Sequence, residues 1–136
     1  MAALEWEALR VLVVDPDDFF RTLVRTILRG VHVRQIREAR SQSQAQGELL
    51  SEPPPQVVPC ATDLTDGGWE GVAAAASRDA VGAQLILITS DASRDLIEAA
   101  REAGVNDLLL KPISAKQLLT RIARAVAATP RSETGA

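Results

Sequence analysis

Four places in the chain carry residues that could do chemistry together. Asp15 follows the apolar run "VLVV", Thr89 and Ser90 close "LILITS", and Lys111 follows "DLLL". The fourth is "VVPCATDLTDGG", Val57 to Gly68, which begins like a buried strand. It then meets a proline, the only cysteine, and two aspartates. An acid can hold a hard cation, a hydroxyl can donate to a phosphate oxygen, and a lysine can neutralise phosphate charge. Brought to one crevice, these are the parts of a phosphate or metal-phosphate site.

The elements that would position them follow from the apolar pattern. "VLVV" reads as a strand buried on both faces, ended by "DPDD". Pro16 suits a turn, and Asp17 or Asp18 can cap a helix. In that helix Phe20, Leu23, Val24, Ile27 and Leu28 recur at helical spacing, with Arg21, Arg25 and Arg29 opposite and Gly30 as the stop. "VHVRQIREA" alternates as an edge strand does. "SQSQAQGELL" is a weak helix with Ala45 and Leu49 on one face and Gly47 costing roughly 1 kcal/mol against alanine. After "SEPPP" a third strand is expected at "QVV", then an alanine-rich helix over 69–80. "AQLILITS" is a buried strand, "SRDLIEAAREAG" an amphipathic helix, "DLLLKP" a short strand and "SAKQLLTRIARAVAAT" the last helix.

Strand and helix thus alternate five times. That order predicts a single doubly wound five-stranded parallel sheet of the flavodoxin-like kind, strand order 2-1-3-4-5, with helices on both faces. In such sheets the ligand crevice lies outside the carboxyl ends of the strands, which is where Asp15, the Pro59–Asp63 region, Thr89 and Lys111 fall.

The 136 residues suit one domain. The expected division is an N-terminal extension at 1–8, the domain at 9–128 and a frayed tail at 129–136, with no output domain following. Apolar content of 46% and charged content of 24% are ordinary for a soluble globular chain, and a net charge of -3 argues against nucleic-acid binding. One cysteine excludes an internal disulfide and fits a reducing, cytoplasmic setting. The N-terminus lacks a secretory pattern, and no run of 18 apolar residues would span a membrane.

"VLVVD" before a helix, "LILITS", and "AGVNDLLLKPIS" in this five-fold order resemble the receiver domain of bacterial two-component response regulators, over residues 8 to 128. Lys111-Pro112, seven residues past Gly104, and Thr89, twenty-two before Lys111, are the specific matches. The resemblance implies a signalling module, not an ordinary enzyme. In receivers an aspartate after the third strand accepts a phosphoryl group from a histidine kinase, and two acids after the first strand help hold Mg2+. A threonine or serine and a lysine read out the phosphoryl group, and an aromatic residue in the fifth strand follows the threonine.

This chain departs from that pattern. Asp15 matches the first metal-binding acid, but Pro16 stands in place of the second. Thr89 and Lys111 are retained, and the aromatic switch position is Leu108. Counting from Asp15, or back from "GGWE", puts Cys60 in the acceptor's place; matching "PQVV" puts Ala61 there. A local deletion would instead bring Asp63 into position. The preferred reading is a degenerate receiver with Cys60 or Ala61 at the acceptor position, and the alternative is a working phosphoacceptor at Asp63. Mg2+ is then expected to bind weakly, through Asp15.

Each of these residues also has a plain structural reading. Asp15 can be a strand-end acid satisfied by backbone donors, and Lys111 can simply balance it. Cys60 can be a small buried hydrophobe. His32, at a strand start, suits the surface, and Arg21, Arg25 and Arg29 suit a solvated helix face. Gly67-Gly68 lacks the spacing of a phosphate-binding loop, and Trp69 packs beside the shortened loop. A flavodoxin-like small-molecule binder is the weakest reading, because its phosphate-cradling loops are missing. The expected partner is a protein: a histidine kinase, a phosphotransfer protein, another signalling protein, or a second copy. It would dock on the face made by the fourth helix, fifth strand and fifth helix.

Overall fold

A computed structural model describes residues 4–105 and 107–128. The tail expected at 129–136 lies outside the described residues. After a single 3-10 turn at Trp6–Ala8, the elements are β1 (Arg10–Val14), α1 (Asp18–Gly30), β2 (Gln35–Ala39), α2 (Gln42–Leu49), β3 (Val57–Ala61), α3 (Gly68–Asp79), β4 (Gln84–Thr89), α4 (Arg94–Glu102), β5 (Asp107–Leu110) and α5 (Ala115–Ala128). The five strands are parallel in the order β2-β1-β3-β4-β5. No helix among the described residues is long and apolar enough to cross a membrane.

Alternation along the central strands builds two cores, because successive strand side chains point to opposite faces. Leu12, Val14, Val58, Cys60, Leu85 and Leu87 pack under α2, α3 and Ala100 of α4. Val11, Val13, Val57, Ile86 and Ile88 pack under Phe20, Val24 and Leu28 of α1 and Leu118 and Ile122 of α5. Trp6 packs at the edge of this second core, so the N-terminal turn is tied to the domain.

Pro59 lies inside a central strand, where its missing N–H should interrupt a ladder. The interruption falls on the β1 side: partner pairs there are Val11↔Val57 and Val14↔Cys60, whereas the β4 side runs unbroken from Val57↔Gln84 to Ala61↔Ile88. Two local expectations change. Gly30 is the last residue of α1, and the left-handed residue that turns the chain afterwards is His32, at φ 71°. Arg21 is not on a solvated face. It is 8% exposed, because β2 brings Glu38 against that side of α1 and the guanidinium is bonded on every side.

Candidate functional site

The crevice is built where β1, β3, β4 and β5 end. Asp15 follows β1 and is held there by its own N–H on the Ala39 carbonyl, at 3.0 Å. Its carbonyl accepts from Arg21 Nη1 at 2.6 Å. The side chain is buried and both oxygens are engaged: Oδ1 accepts from the Asp17 N–H at 2.8 Å, and Oδ2 meets Lys111 Nζ at 3.3 Å. Burial pushes the Asp15 carboxyl above the usual range. The Asp17 amide and Lys111 oppose that rise, and the Asp63 charge adds to it.

Lys111 is placed by β5, which delivers its N–H to the Thr89 carbonyl at 2.7 Å. Its ammonium lies between the Asp15 carboxylate and the ring of Phe20, 4.0 Å from the centroid, so a cation–π contact adds to the ion pair. Thr89 is buried at the end of β4. Its hydroxyl accepts from the Asp91 N–H at 3.1 Å and donates to the Asp91 carbonyl at 3.2 Å.

At β3 the three acceptor candidates take different places. Val14 pairs with Cys60, so the residue after each, Asp15 and Ala61, lie side by side at the carboxyl edge. Ala61 is buried and offers a methyl group. Cys60 is fully buried in the core under α3, with its Sγ directed at the Ala61 carbonyl at 3.5 Å. Burial pushes its thiol pKa upward, and the charges of Asp15 and Asp63 add to that. Asp63 lies two residues past β3, exposed, on the wall of a cleft of about 400 Å³ shared with Thr62, Trp69, Thr89, Asp91 and Lys111.

The donors present do not fit Mg2+, which takes an octahedral shell of oxygens. Pro16 has none to give, and Asp17 is turned to α1, where its Oδ1 caps the Phe19 N–H at 2.9 Å. Asp15 is shared between an amide and an ammonium. Among the described residues, no three His, Cys, Asp or Glu side chains are grouped to hold a metal ion.

The structure therefore brings Asp15, Thr89 and Lys111 to one crevice, with Asp63 on its wall, and leaves Cys60 buried in the core beneath α3. Leu108 is half-buried and packs against the core under α3 and α4. Phe20 and Arg21 are site residues that sequence reasoning missed. Phe20 read as one more apolar helix position, and nothing local marked Arg21.

The model for the response regulator receiver domain matches residues 11–123. The chain belongs to the response regulator receiver family. The chemotaxis protein CheY of Bacillus subtilis is 28% identical over 115 residues, covering 83% of this chain and 93% of that protein. Among solved structures, a CheY-like receiver from Methanospirillum hungatei superposes with a TM-score of 0.79 at 20% identity, covering 88% of this chain and 94% of that one. The HemR receiver domain from Leptospira biflexa gives 0.78 at 20% identity, covering 90% and 98%. At these identities the solved structures show the shared receiver fold.

Proposed function

We propose that this receiver signals through protein–protein contact, with phosphorylation at its crevice absent or much weakened. The observation that carries the reading is the pairing at the strand ends. Lys111 is bound to Asp15, and neither β3 candidate next to it, Cys60 or Ala61, carries a carboxylate, which supports a degenerate acceptor position. In-line phosphoryl transfer requires an oxygen nucleophile, a cation on the equatorial oxygens and an aligned leaving group. Ala61 supplies no nucleophile, Cys60 supplies a buried thiol facing the core, and Pro16 removes a metal ligand. Mg2+ binding is accordingly weak, too weak to saturate at low millimolar concentration. The receiver unit is residues 9–128, in the reducing cytoplasm. Its partner is a histidine kinase, a phosphotransfer protein, another signalling protein or a second copy, docked on α4, β5 and α5.

The test is incubation with acetyl phosphate and Mg2+ followed by intact mass measurement. No phosphoryl adduct is expected. One observation favours the alternative: Asp63 shares the cleft wall with Thr89 and Lys111. If an adduct forms and Asp63→Ala removes it, Asp63 is the phosphoacceptor and the degenerate reading is overturned.

A further inference from the structure

The loop after β3 is bonded to α2 by contacts that the site itself does not require. The Asp66 carboxylate accepts from the Gln42 N–H on Oδ1, at 2.8 Å, and from the Ser43 N–H on Oδ2, at 3.0 Å. One side chain from the crevice loop thus satisfies the first two amides of α2, while the helix's own cap, Ser41, serves Gln44. The Gln42 side chain returns the contact: its Nε2 donates to the Gly68 carbonyl at 3.0 Å. Gln42 reaches that carbonyl by lying where side chains would be. A Cβ on Gly71 would stand 1.8 Å from Nε2, and one on Gly67 2.5 Å from it. Gly67 also needs its freedom of backbone, at φ 114°.

The loop is fixed at its other end as well. The Thr62 N–H is on the Ile88 carbonyl at 3.2 Å, and Leu64 is buried in the core under α2 and α3. Asp63 is therefore held between two anchors, and Trp69, in the first turn of α3, walls the same cleft.

We propose that α2 sets the position of the crevice loop through Asp66 and Gln42, a latch that couples the N-terminal end of α2 to the crevice. The inference deepens the crevice reading above and rests on that crevice being the signalling site, but it does not depend on whether the site accepts phosphate. It gives the domain a route from crevice to surface that bypasses the fifth strand, where Leu108 stands at the switch position. Coupling of this kind is reciprocal: whatever binds the end of α2 shifts the loop, and whatever fills the crevice shifts α2, by the same factor.

The test uses the full chain in a Trp6→Phe background, which leaves Trp69 as the one indole. Amide hydrogen exchange and Trp69 emission are measured for Asp66→Asn, Gln42→Ala, their combination, and Gly71→Ala, whose methyl displaces Gln42. Each single change should raise exchange across residues 62–68 about fivefold and shift Trp69 emission, with the double variant little worse than the stronger single one. The latch is overturned if faster exchange is confined to the Gln42 and Ser43 amides while the loop and Trp69 are unchanged, because Asp66 is then only a helix cap. A phosphoryl adduct in the acetyl phosphate experiment would overturn the degenerate-site reading and leave this result untouched.

Discussion

The Lys111–Asp15 pair decides more of the local energetics than any other contact at the crevice. Asp15 is almost fully buried, and Lys111 is the one cationic partner of its carboxylate among the described residues. Removing the partner of a buried charge costs about 3 kcal/mol or more, because the remaining charge stays desolvated, whereas removing both groups costs far less. Lys111→Met should therefore lower stability by about that amount, and adding Asp15→Asn should restore most of it. Chemical denaturation of the two single variants and the double variant measures the coupling. Additive losses would mean that the pair is not holding the strand ends together. The Phe20 ring should contribute a smaller share: Phe20→Leu keeps the apolar packing but removes the face that Lys111 rests on. Cys60 gives a second check at this scale. A fully buried thiol whose ionisation is disfavoured should react with a disulfide reagent only as fast as the protein opens. Rapid labelling of the native protein would contradict its placement in the core.

The connections between elements carry two more expectations. His32 holds a left-handed conformation after α1, a backbone region that costs a side chain about 1 kcal/mol. His32→Gly should relieve that cost and raise the thermal midpoint, an outcome that calorimetry reads directly. At α2, the two amides on Asp66 hold its carboxyl below the usual range. A carboxylate with a lowered folded pKa stabilises fully above its unfolded pKa and loses that contribution as pH falls through the folded value. The gap in thermal midpoint between the native protein and Asp66→Asn should be constant well above the ordinary carboxylate pKa of about 3.9 and close as pH falls below it. A gap that persists in strong acid would show that the charge is not what holds the loop. Both devices escaped sequence reading for a physical reason. Helix periodicity points to Gly30 as the stop, because the backbone sign of a following residue is not written in its type. Asp66 and α2 meet across 24 residues, and no local pattern announces such a contact. Arg21 was likewise hidden, since its burial depends on Glu38 arriving from β2. β1, β3, β4 and β5 were legible because each is apolar over most of its length, and β2 from its edge-strand alternation; the carboxyl ends of β1, β4 and β5 gave Asp15, Thr89 and Lys111 directly.

For the molecule as a whole, the question is which surface a partner meets. On the face of α4, β5 and α5, Ile97 is 44% exposed and Leu110 is 52% exposed. The same two helices carry the exposed charges of Arg94, Asp95, Glu98, Arg101, Glu102 and Lys116. An apolar centre within a charged rim is the usual anatomy of a transient protein interface. Arg121, also on α5, does not belong to that rim. Its Nη1 is ion-paired with Asp107 and donates to the Leu108 carbonyl at 3.0 Å, so it ties α5 to β5. Charge reversal there would disturb the fold, and the informative substitutions are Ile97→Glu, Leu110→Glu and Arg101→Glu. A rival surface lies on α1, where Phe19 is 77% exposed and Leu23 36%. If α4, β5 and α5 form the working face, Ile97→Glu or Leu110→Glu should weaken association by about thirtyfold, the scale of a central interface residue. Arg101→Glu, at the rim, should weaken it only severalfold and mainly at low salt. Phe19→Glu should change nothing. Sedimentation of the protein alone reads self-association by these variants, and pull-down with a cognate kinase or phosphotransfer protein reads partner binding. Loss of association with Phe19→Glu alone would move the working surface to α1.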